Sequence, residues 1–170
     1  MDIRYVCSDE EHKTDAVLSA VAARAGALGI ALAGTVQPVD ADSPPEKCNI
    51  ILGLLPDFER RSISFDLQPG MTGCRLNAEA LEAAVMVVHQ RLPAAQALVV
   101  NKFGKQEAAG RGLVNAIGEA CERGLPVLVG VSPEWRQAFL TFAGGKAEAM
   151  PADEDAILEW LRAALADAAA

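Results

Sequence analysis

A short polar segment with three cationic side chains follows the apolar residues Ala97–Val100. Lys102, Lys105 and Arg111 supply the charges, and Gly110 lies just before a stretch with the apolar spacing of a helix. If Ala97–Val100 form a buried strand, the polar segment lies at its carboxyl end, where open α/β sheets hold their ligands. Charged N–H donors and the amides of a helix N-terminus both favour anions. The pattern therefore predicts an anion-binding loop.

Two further polar side chains belong to this segment. Asn101 and Glu107 are predicted to support a bound anion, and Glu107 is the candidate catalytic residue. The alternative is that Lys105 and Arg111 are solvated surface charges and that Glu107 pairs with one of them, a contact worth less than ~1 kcal/mol. The segment matches the guanine-reading motif Asn-Lys-x-Asp only in part, because a glycine stands in place of the carboxylate.

The segment after the first predicted strand has the spacing of a phosphate-binding loop. Set against Gly-x-x-x-x-Gly-Lys-Ser/Thr, Lys13 and Thr14 fall on the Lys and Thr positions of the motif. Cys7 and His12 replace the two glycines, which normally let backbone amides turn toward the anion. The sequence therefore predicts a degenerate phosphate loop.

Three consecutive carboxylates, Asp9–Glu11, would repel a triphosphate bound at this first loop. Two other uses of the loop are open. Ser8 and Glu11 have the spacing of a capping box for the helix that follows. Alternatively, the acidic loop pairs with the basic segment Asn101–Arg111, and an anion site then forms only after a rearrangement.

Length and composition limit the class of protein. The 170 residues suffice for one well-buried domain, and we assign residues 1–170 to a single α/β domain. Hydrophobic residues make up 51% of the chain and aromatic residues 5%, which favours helices packed on a parallel sheet. The net charge of −8 argues against nucleic-acid binding. We expect a cytoplasmic protein without membrane insertion, because no apolar run reaches membrane-spanning length and no leader pattern precedes the first strand.

The potential metal ligands are scattered along the chain. No close Cys or His pairs occur, so we predict free thiols and no metal site; the residues concerned are Cys7, Cys48, Cys74, Cys121, His12 and His89. Asp66 and Arg75 could reach the ligand edge of the sheet. Trp135 could form an apolar wall for a nucleotide base, although core packing is its more common use.

The apolar periodicity predicts strands that alternate with helices. The predicted strands span 3–6, 30–36, 49–55, 62–67, 97–100 and 126–131. The predicted helices span 14–28, 78–92, 111–123 and 153–166, with a short helix from Pro133 to about Phe139. The short spacing between 49–55 and 62–67 indicates an antiparallel excursion. The predicted fold is a three-layer α/β domain with a mostly parallel sheet and helices on both faces.

Four segments carry a family resemblance: Cys74–Ala83, Asn101–Gly112, Gly124–Val131 and Trp135–Gly145. Together they resemble a bacterial domain-of-unknown-function family, many of whose members are encoded beside molybdate-transport genes. The resemblance runs from about the first strand to the end of the fourth segment, and the second segment is its most specific part. It implies a role in the uptake or handling of molybdenum.

The order of elements is also similar to that of the small nucleoside-triphosphatase family of the P-loop class. In that family a strand ends in an Asp-Glu pair, followed by a Gly-x-x-Glu stretch, and this Walker B region positions magnesium and water. Gly104–Glu107 match the later part, whereas Asn101 and Lys102 stand where the two acids would be. The resemblance implies a P-loop NTPase-like fold, and the lost acids imply little or no NTP turnover.

The leading hypothesis is a cytoplasmic nucleotide- or oxyanion-binding accessory protein linked to molybdenum handling. Its cofactor would be ATP or another nucleotide with Mg²⁺, and its contacts would come from Lys13, Thr14, Asn101, Lys102, Lys105 and Arg111. One alternative is an active Mg²⁺-dependent nucleoside-triphosphatase that uses Lys13, Thr14 and Glu107. The other is a non-catalytic interaction module whose acidic first loop docks a protein partner.

Overall fold

The computed structural model describes residues 1–38, 50–65 and 76–169. Seven strands in these ranges form one sheet in the order β4-β3-β2-β5-β6-β1-β7. The strands are β1 (Ile3–Val6), β2 (Leu32–Val36), β3 (Ile51–Leu54), β4 (Glu59–Ser62), β5 (Ala97–Phe103), β6 (Val127–Val131) and β7 (Glu148–Met150). The helices are α1 (Lys13–Ala27), α2 (Ala78–Arg91), α3 (Lys105–Ala108), α4 (Val114–Glu122), α5 (Arg136–Phe142) and α6 (Glu154–Ala169).

The sheet is mostly parallel. The five strands from β2 through β5, β6 and β1 to β7 pair in parallel with one another, while β3 runs antiparallel to both β2 and β4. The predicted antiparallel excursion is therefore confirmed. Parallel neighbours need crossover connections, and the helices between these strands supply them.

Two hydrophobic clusters cover the opposite faces of the sheet. Successive strand residues alternate between them: Leu98 and Val100 pack with α2, α4 and α5, whereas Val99 packs with α1 and α6. This alternation follows from the two-residue period of a strand. The predicted three-layer α/β fold, with helices on both faces, is confirmed.

Most of the predicted elements match the structure within a few residues. Asn77 caps α2 by accepting the Ala80 N–H at 3.1 Å. β5 continues to Phe103, three residues beyond its predicted end, and the predicted loop after it contains α3. The helix predicted from residue 111 begins at Val114, because the chain first turns through Gly110 and Gly112, both with positive φ.

The two edges of the sheet are its least predictable parts. The strand predicted at 62–67 was wrong: β4 covers Glu59–Ser62, an exposed, charged stretch without apolar alternation. The end of the predicted strand, 66–67, lies outside the described residues. The opposite edge, β7, is three residues long and was not predicted, because Glu148–Met150 are too few and too exposed to show a pattern.

One glycine in β2 allows two strands to pack closely. Gly34 has a φ of +118°, and a Cβ at this position would overlap the Val99 carbonyl oxygen on β5. This close contact fixes the spacing of β2 and β5 just before the strand ends that carry polar side chains. No helix among the described residues is long and apolar enough to cross a membrane.

Candidate functional site

The connections that leave β1 and β6 run to opposite faces of the sheet. From β1 the chain passes through α1 toward β2, and from the neighbouring β6 it passes through α5 toward β7. Adjacent strands whose connections diverge in this way leave a crevice at their carboxyl ends, where open α/β sheets bind ligands.

An open cleft of about 390 Å³ occupies this crevice. Residues that follow four different strands line it. They are Ser8–His12, Thr14 and Asp15 after β1, Gln37 after β2, Asn101 and Lys102 on β5, and Gly130–Pro133 at the end of β6. The cleft therefore gathers polar groups that are far apart in the sequence.

One residue of the first loop has a backbone conformation that glycine adopts more readily than other residues. His12, which replaces the second glycine, has a φ of 59° and precedes α1 directly. Non-glycine residues rarely adopt this left-handed conformation, so the turn into α1 imposes it. The predicted capping box is wrong: no side chain caps α1, and Ser8 Oγ accepts the Glu10 N–H at 3.1 Å instead.

The charged side chains of the first loop pair mainly with one another. Lys13 Nζ lies 3.6 Å from Glu10 Oε2, and His12 Nε2 lies 3.4 Å from Glu11 Oε1. Lys13 does not line the cleft; it lies in a second groove beside Arg24 and the N-terminus of α6. Thr14, the next residue, does line the cleft.

The end of β5 contains a β-bulge. Val100 pairs with Val129 and Phe103 pairs with Val131. An advance of three residues along β5 therefore matches an advance of two residues along β6. Bulges of this kind re-aim side chains and occur near active sites. Here the bulge spans Asn101 and Lys102, the two residues of β5 that line the cleft.

Asn101 is held in place by a buried hydrogen bond. Its Oδ1 accepts from Thr35 Oγ1 on β2 at 2.7 Å, and both residues are buried. On the other side, a Cβ at Gly130 would overlap the Asn101 carbonyl oxygen and lie 2.8 Å from Leu18 Cδ1. Asn101 therefore sits in a fixed position between β2 and β6.

The Asp15 side chain is only 21% exposed, whereas the other three acidic residues at the cleft, Asp9–Glu11, are exposed. Burial raises the pKa of Asp15, and the charges of Lys102 and His12 act in the opposite direction. His12 Nδ1 lies 3.9 Å from Asp15 Oδ2. The predicted pairing of the acidic loop Asp9–Glu11 with the basic segment Asn101–Arg111 is not seen among the described residues, because Glu10 and Glu11 lie beside Lys13 and His12 instead.

Glu107 stabilises the loop around it and does not line the cleft. The residue is buried, and its carboxylate accepts the Gly104 N–H at 3.1 Å and the Leu113 N–H at 3.2 Å. Gly112, with a φ of +62°, leaves the space that the Glu107 carboxylate occupies. The loop from Gly104 to Leu113 is therefore folded around this side chain.

The other two cations of the predicted anion loop also lie outside the cleft lining. Lys105 and Arg111 are exposed, and Arg111 Nε donates to Gln106 Oε1 at 3.0 Å. The pairing of Glu107 with one of these cations, which the sequence left open, does not occur: the Glu107 carboxylate accepts backbone amides instead.

A serine hydroxyl at the end of β6 stands out for its surroundings. Ser132 lines the cleft, yet its Oγ is buried and has no hydrogen-bond partner among the described residues. Beyond it, Arg136 Nε donates to Tyr5 Oη at 3.3 Å. Burial raises the pKa of the nearby Cys7 thiol, and the charge of Arg136 opposes that rise.

The structure thus brings together three of the predicted contact residues, Thr14, Asn101 and Lys102. Thr35 and Asp15 were missed by the sequence analysis. Thr35 could have been noticed as a polar residue within an otherwise apolar strand. Nothing in the sequence marked Asp15 except its position in the first turn of a helix. Asp66, Arg75, Cys48 and Cys74 lie outside the described residues, whereas Trp135 packs against the core, as predicted.

Two solved structures resemble the whole fold. THEP1 from the hyperthermophile Aquifex aeolicus has a TM-score of 0.64 at 13% identity, covering 94% of this chain and 95% of its own. A human cancer-related nucleoside triphosphatase has a TM-score of 0.60 at 12% identity, covering 99% and 96%. The chain therefore shares its fold with these two proteins, one of which is a nucleoside triphosphatase.

Two sequence matches bear on the family. The chain is 36% identical over 102 residues to the molybdenum import ATP-binding protein ModC 2 of Bradyrhizobium diazoefficiens, a match covering 59% of this chain. It spans only 11% of that relative's length. Residues 3–160 match the family described as "Protein of unknown function (DUF2478)". The predicted resemblance to a family of this kind is confirmed, and the chain belongs to the DUF2478 family.

Proposed function

We propose that this protein binds a nucleotide or a comparable oxyanion in the cleft between β1 and β6, with little or no turnover. The observation that supports this most is that the N-terminus of α1 and Lys102 line the same cleft. This cleft lies where the connections after β1 and β6 run to opposite faces of the sheet. The first amides of a helix lack intrahelical partners, and they favour negative charge. Lys102 adds a charged donor on the other wall.

A nucleotide is the preferred ligand because of the relatives. One of the similar folds is a nucleoside triphosphatase, and the matched sequence relative is an ATP-binding protein. The cleft is of the size of small-ligand sites, which begin at about 300 Å³. Its position after β1 corresponds to that of a phosphate loop.

Within the described ranges no group of three or more His, Cys, Asp or Glu side chains could hold a metal ion by itself, so a magnesium ion at the cleft would depend on phosphate oxygens for part of its coordination. Mg²⁺ prefers oxygen ligands and is held in proteins by one or two carboxylates together with substrate phosphates. Thr14, Asp9 and Asp15 supply a hydroxyl and two carboxylates at the lining. A bound magnesium ion would neutralise phosphate charge there.

The residues at the end of β5 and in the loop after it favour slow hydrolysis of a bound nucleotide. Phosphoryl transfer to water needs a group that orients the attacking water, usually a carboxylate or an amide oxygen. Asn101 Oδ1 is engaged by Thr35, Lys102 is a cation, and the Glu107 carboxylate accepts two backbone amides outside the cleft. None of the three is free to act as a base at the cleft.

We further propose that the protein is a single cytoplasmic domain that acts as an accessory in molybdenum uptake or handling. The match to a molybdenum import ATP-binding protein supports this role. In this setting the cleft would take a nucleotide or the oxyanion itself.

Isothermal titration with ATP and Mg²⁺ tests the proposal. We expect Lys102→Ala to weaken binding about 10- to 100-fold, since a hydrogen bond to a charged group contributes about 1.5–3 kcal/mol. Lys146→Ala removes the same charge from an exposed site away from the cleft and serves as the matched control. Lys105→Ala tests whether the rest of the predicted basic segment takes part.

Three results would contradict the proposal in different ways. If neither ATP nor molybdate produces heat, the cleft does not bind oxyanions, and the acidic first loop becomes a candidate docking surface for a protein partner. If binding is unaffected by Lys102→Ala, the ligand lies elsewhere. Rapid release of phosphate from ATP would favour an active Mg²⁺-dependent triphosphatase.

A further inference from the structure

We propose that the side-chain amide of Asn101 donates a hydrogen bond directly to an oxygen atom of the ligand, and that Thr35 is the positioning residue that holds the amide in this orientation. No metal ion then lies between the end of β5 and the ligand. This inference rests on the proposed function of the cleft. It adds the specificity of the β5 side of the cleft, which selects an oxygen that accepts hydrogen bonds.

The orientation of the Asn101 side chain follows from its contacts with Thr35. The backbone N–H of Asn101 donates to Thr35 Oγ1 at 3.4 Å, and the Thr35 hydroxyl donates to Asn101 Oδ1 at 2.7 Å. The carbonyl end of the amide therefore faces β2. A reversed amide would leave the hydroxyl proton of Thr35 without an acceptor among the described residues, which is costly because Thr35 is buried.

The free end of the Asn101 side chain is its NH₂ group. Asn101 is only 8% exposed, and it lines the cleft. Its Nδ2 has no hydrogen-bond partner among the described residues, yet it is not sealed from solvent as Ser132 Oγ is. The open space beside Asn101 is the cleft, so two N–H donors of a nearly buried side chain face into it.

The strands on both sides keep Asn101 in place. On one side Thr35 belongs to β2, and on the other a Cβ at Gly130 of β6 would overlap the Asn101 carbonyl oxygen. The β-bulge at the end of β5 spans Asn101 and fixes the direction of its side chain. A donor that is ordered before the ligand arrives loses little conformational entropy on binding.

The neighbouring strand end also carries a polar atom without a partner. Ser132 Oγ, which follows β6, is buried, lines the same cleft and has no hydrogen-bond partner among the described residues. Buried polar atoms are nearly always paired, so this hydroxyl is suited to contact a ligand. The carboxylates of the described lining, on Asp9–Glu11 and Asp15, all follow β1. An oxygen atom of the ligand at the ends of β5 and β6 would therefore meet an amide, a hydroxyl and Lys102.

Replacing the amide by a carboxylate of the same shape separates direct binding from binding through a metal ion. Asn101→Asp turns the donor into an acceptor that repels a ligand oxygen and needs a cation between them. The test is isothermal titration with ATP, in EDTA and in excess Mg²⁺. We expect Asn101→Asp to bind ATP at least about 100-fold more weakly than wild type in EDTA, and excess Mg²⁺ to restore part of the loss.

Asn115→Asp is the matched control for this change of charge. Asn115 is exposed in the first turn of α4 and lies outside the cleft lining. This variant should bind ATP as wild type does in both buffers.

Two variants of Thr35 test its positioning role. Thr35→Val removes the hydroxyl at nearly constant shape and frees the Asn101 amide to turn, so ATP binding should weaken about 3- to 10-fold. Thr35→Ser keeps the hydroxyl and should bind ATP as wild type does. A merely structural role of Thr35 predicts wild-type binding by both variants at a temperature where circular dichroism shows them folded.

The outcomes separate this inference from the proposed function. If Asn101→Asp binds ATP as tightly as wild type or more tightly, the inference is overturned, and the proposed function stands if Lys102→Ala still weakens binding. If wild type binds neither ATP nor molybdate in either buffer, both fail. Asn101→Ala removes the donor without adding a charge. It repeats the comparison if the aspartate variant folds poorly, with an expected loss of about tenfold in both buffers.

Discussion

Replacing Glu107 by alanine is expected to destabilise the protein by about 3–6 kcal/mol. The residue is 7% exposed, and its carboxylate accepts the Gly104 N–H at 3.1 Å and the Leu113 N–H at 3.2 Å. A hydrogen bond to a charged group contributes about 1.5–3 kcal/mol, and the two bonds together give the range. Glu107→Gln keeps one acceptor oxygen but turns an amide donor toward the other N–H, so we expect a loss of about 2–3 kcal/mol.

Urea unfolding followed by circular dichroism measures this effect. The midpoint should fall while the slope of the free energy of unfolding against urea stays unchanged, because the folded structure buries the same surface. Lys105→Ala is the control on the same short helix. Its side chain is exposed, so its free energy of unfolding should stay within about 0.5 kcal/mol of wild type.

The result that would refute this reasoning is a Glu107→Ala protein within about 1 kcal/mol of wild type. The carboxylate would then not be a structural brace, and it would be available for chemistry, as the sequence suggested. A Glu107→Gln protein that remains folded but loses all residual ATP hydrolysis would point the same way.

Three further predictions concern the sheet and the cleft. Gly34→Ala should cost more than about 3 kcal/mol or prevent folding, because the new Cβ would overlap the Val99 carbonyl oxygen, as urea unfolding or soluble yield will show. Thr35→Val should cost about 1–3 kcal/mol in the same assay, because it leaves the buried Asn101 Oδ1 without its donor. Asp15→Asn should raise the melting temperature at pH 7, and the gain should shrink as the pH is lowered.

The sign of the last prediction follows from the direction of the pKa shift. Burial raises the pKa of Asp15 in the folded protein above its ordinary value, so the ionised side chain costs stability at pH values above the folded pKa. Below the unfolded pKa the side chain is protonated in both states, and the cost disappears. A melting temperature of Asp15→Asn that lies below wild type at pH 7 would contradict this.

The predictions for Gly34→Ala and Thr35→Val each have a result that would contradict them, and a matched glycine variant serves as the control for the first. Gly29→Ala also places a Cβ at a positive φ, yet nothing lies within 4 Å of it, so it should cost only about 1–2 kcal/mol. Equal costs for the Gly29 and Gly34 variants would show that strain of φ, and not the contact with β5, decides the effect. An unchanged Thr35→Val protein would mean that Asn101 finds another donor.

The fold was predictable because its central strands are continuous apolar runs. Stretches such as Val127–Val131 are buried on both faces, so their composition alone marks them as strands of a parallel sheet. The edge strand β4 gave no such signal, since Arg60, Arg61 and Ser62 are exposed and its pairing depends on the backbone of β3. Residue propensities cannot predict a strand that forms mainly because a neighbouring strand offers it backbone hydrogen bonds.

Residues of the candidate site were predictable only where they lie at the carboxyl end of a strand that the sequence itself indicates. Asn101 and Lys102 end the central strand β5, and the rule for open sheets placed them at a ligand edge. The direction of Lys13 was not predictable, because it depends on how α6 packs beside α1 and on the Glu10 contact. The hydrogen bonds of Glu107 were not predictable for a similar reason: its partners are amides of its own loop, and the sequence does not show how that loop folds.

The charged, short edges of the sheet affect how the protein behaves toward other copies of itself. A strand that ends a sheet leaves one row of backbone donors and acceptors open to a further strand. On one side this row belongs to Glu59–Ser62, and on the other to three residues beside the Arg4–Glu148 ion pair. In the part of the sheet that the structure describes, both rows are short and include charged side chains, which disfavours pairing with a strand of another copy. The apolar central strands lie between these two edges and leave no backbone row of their own unpaired.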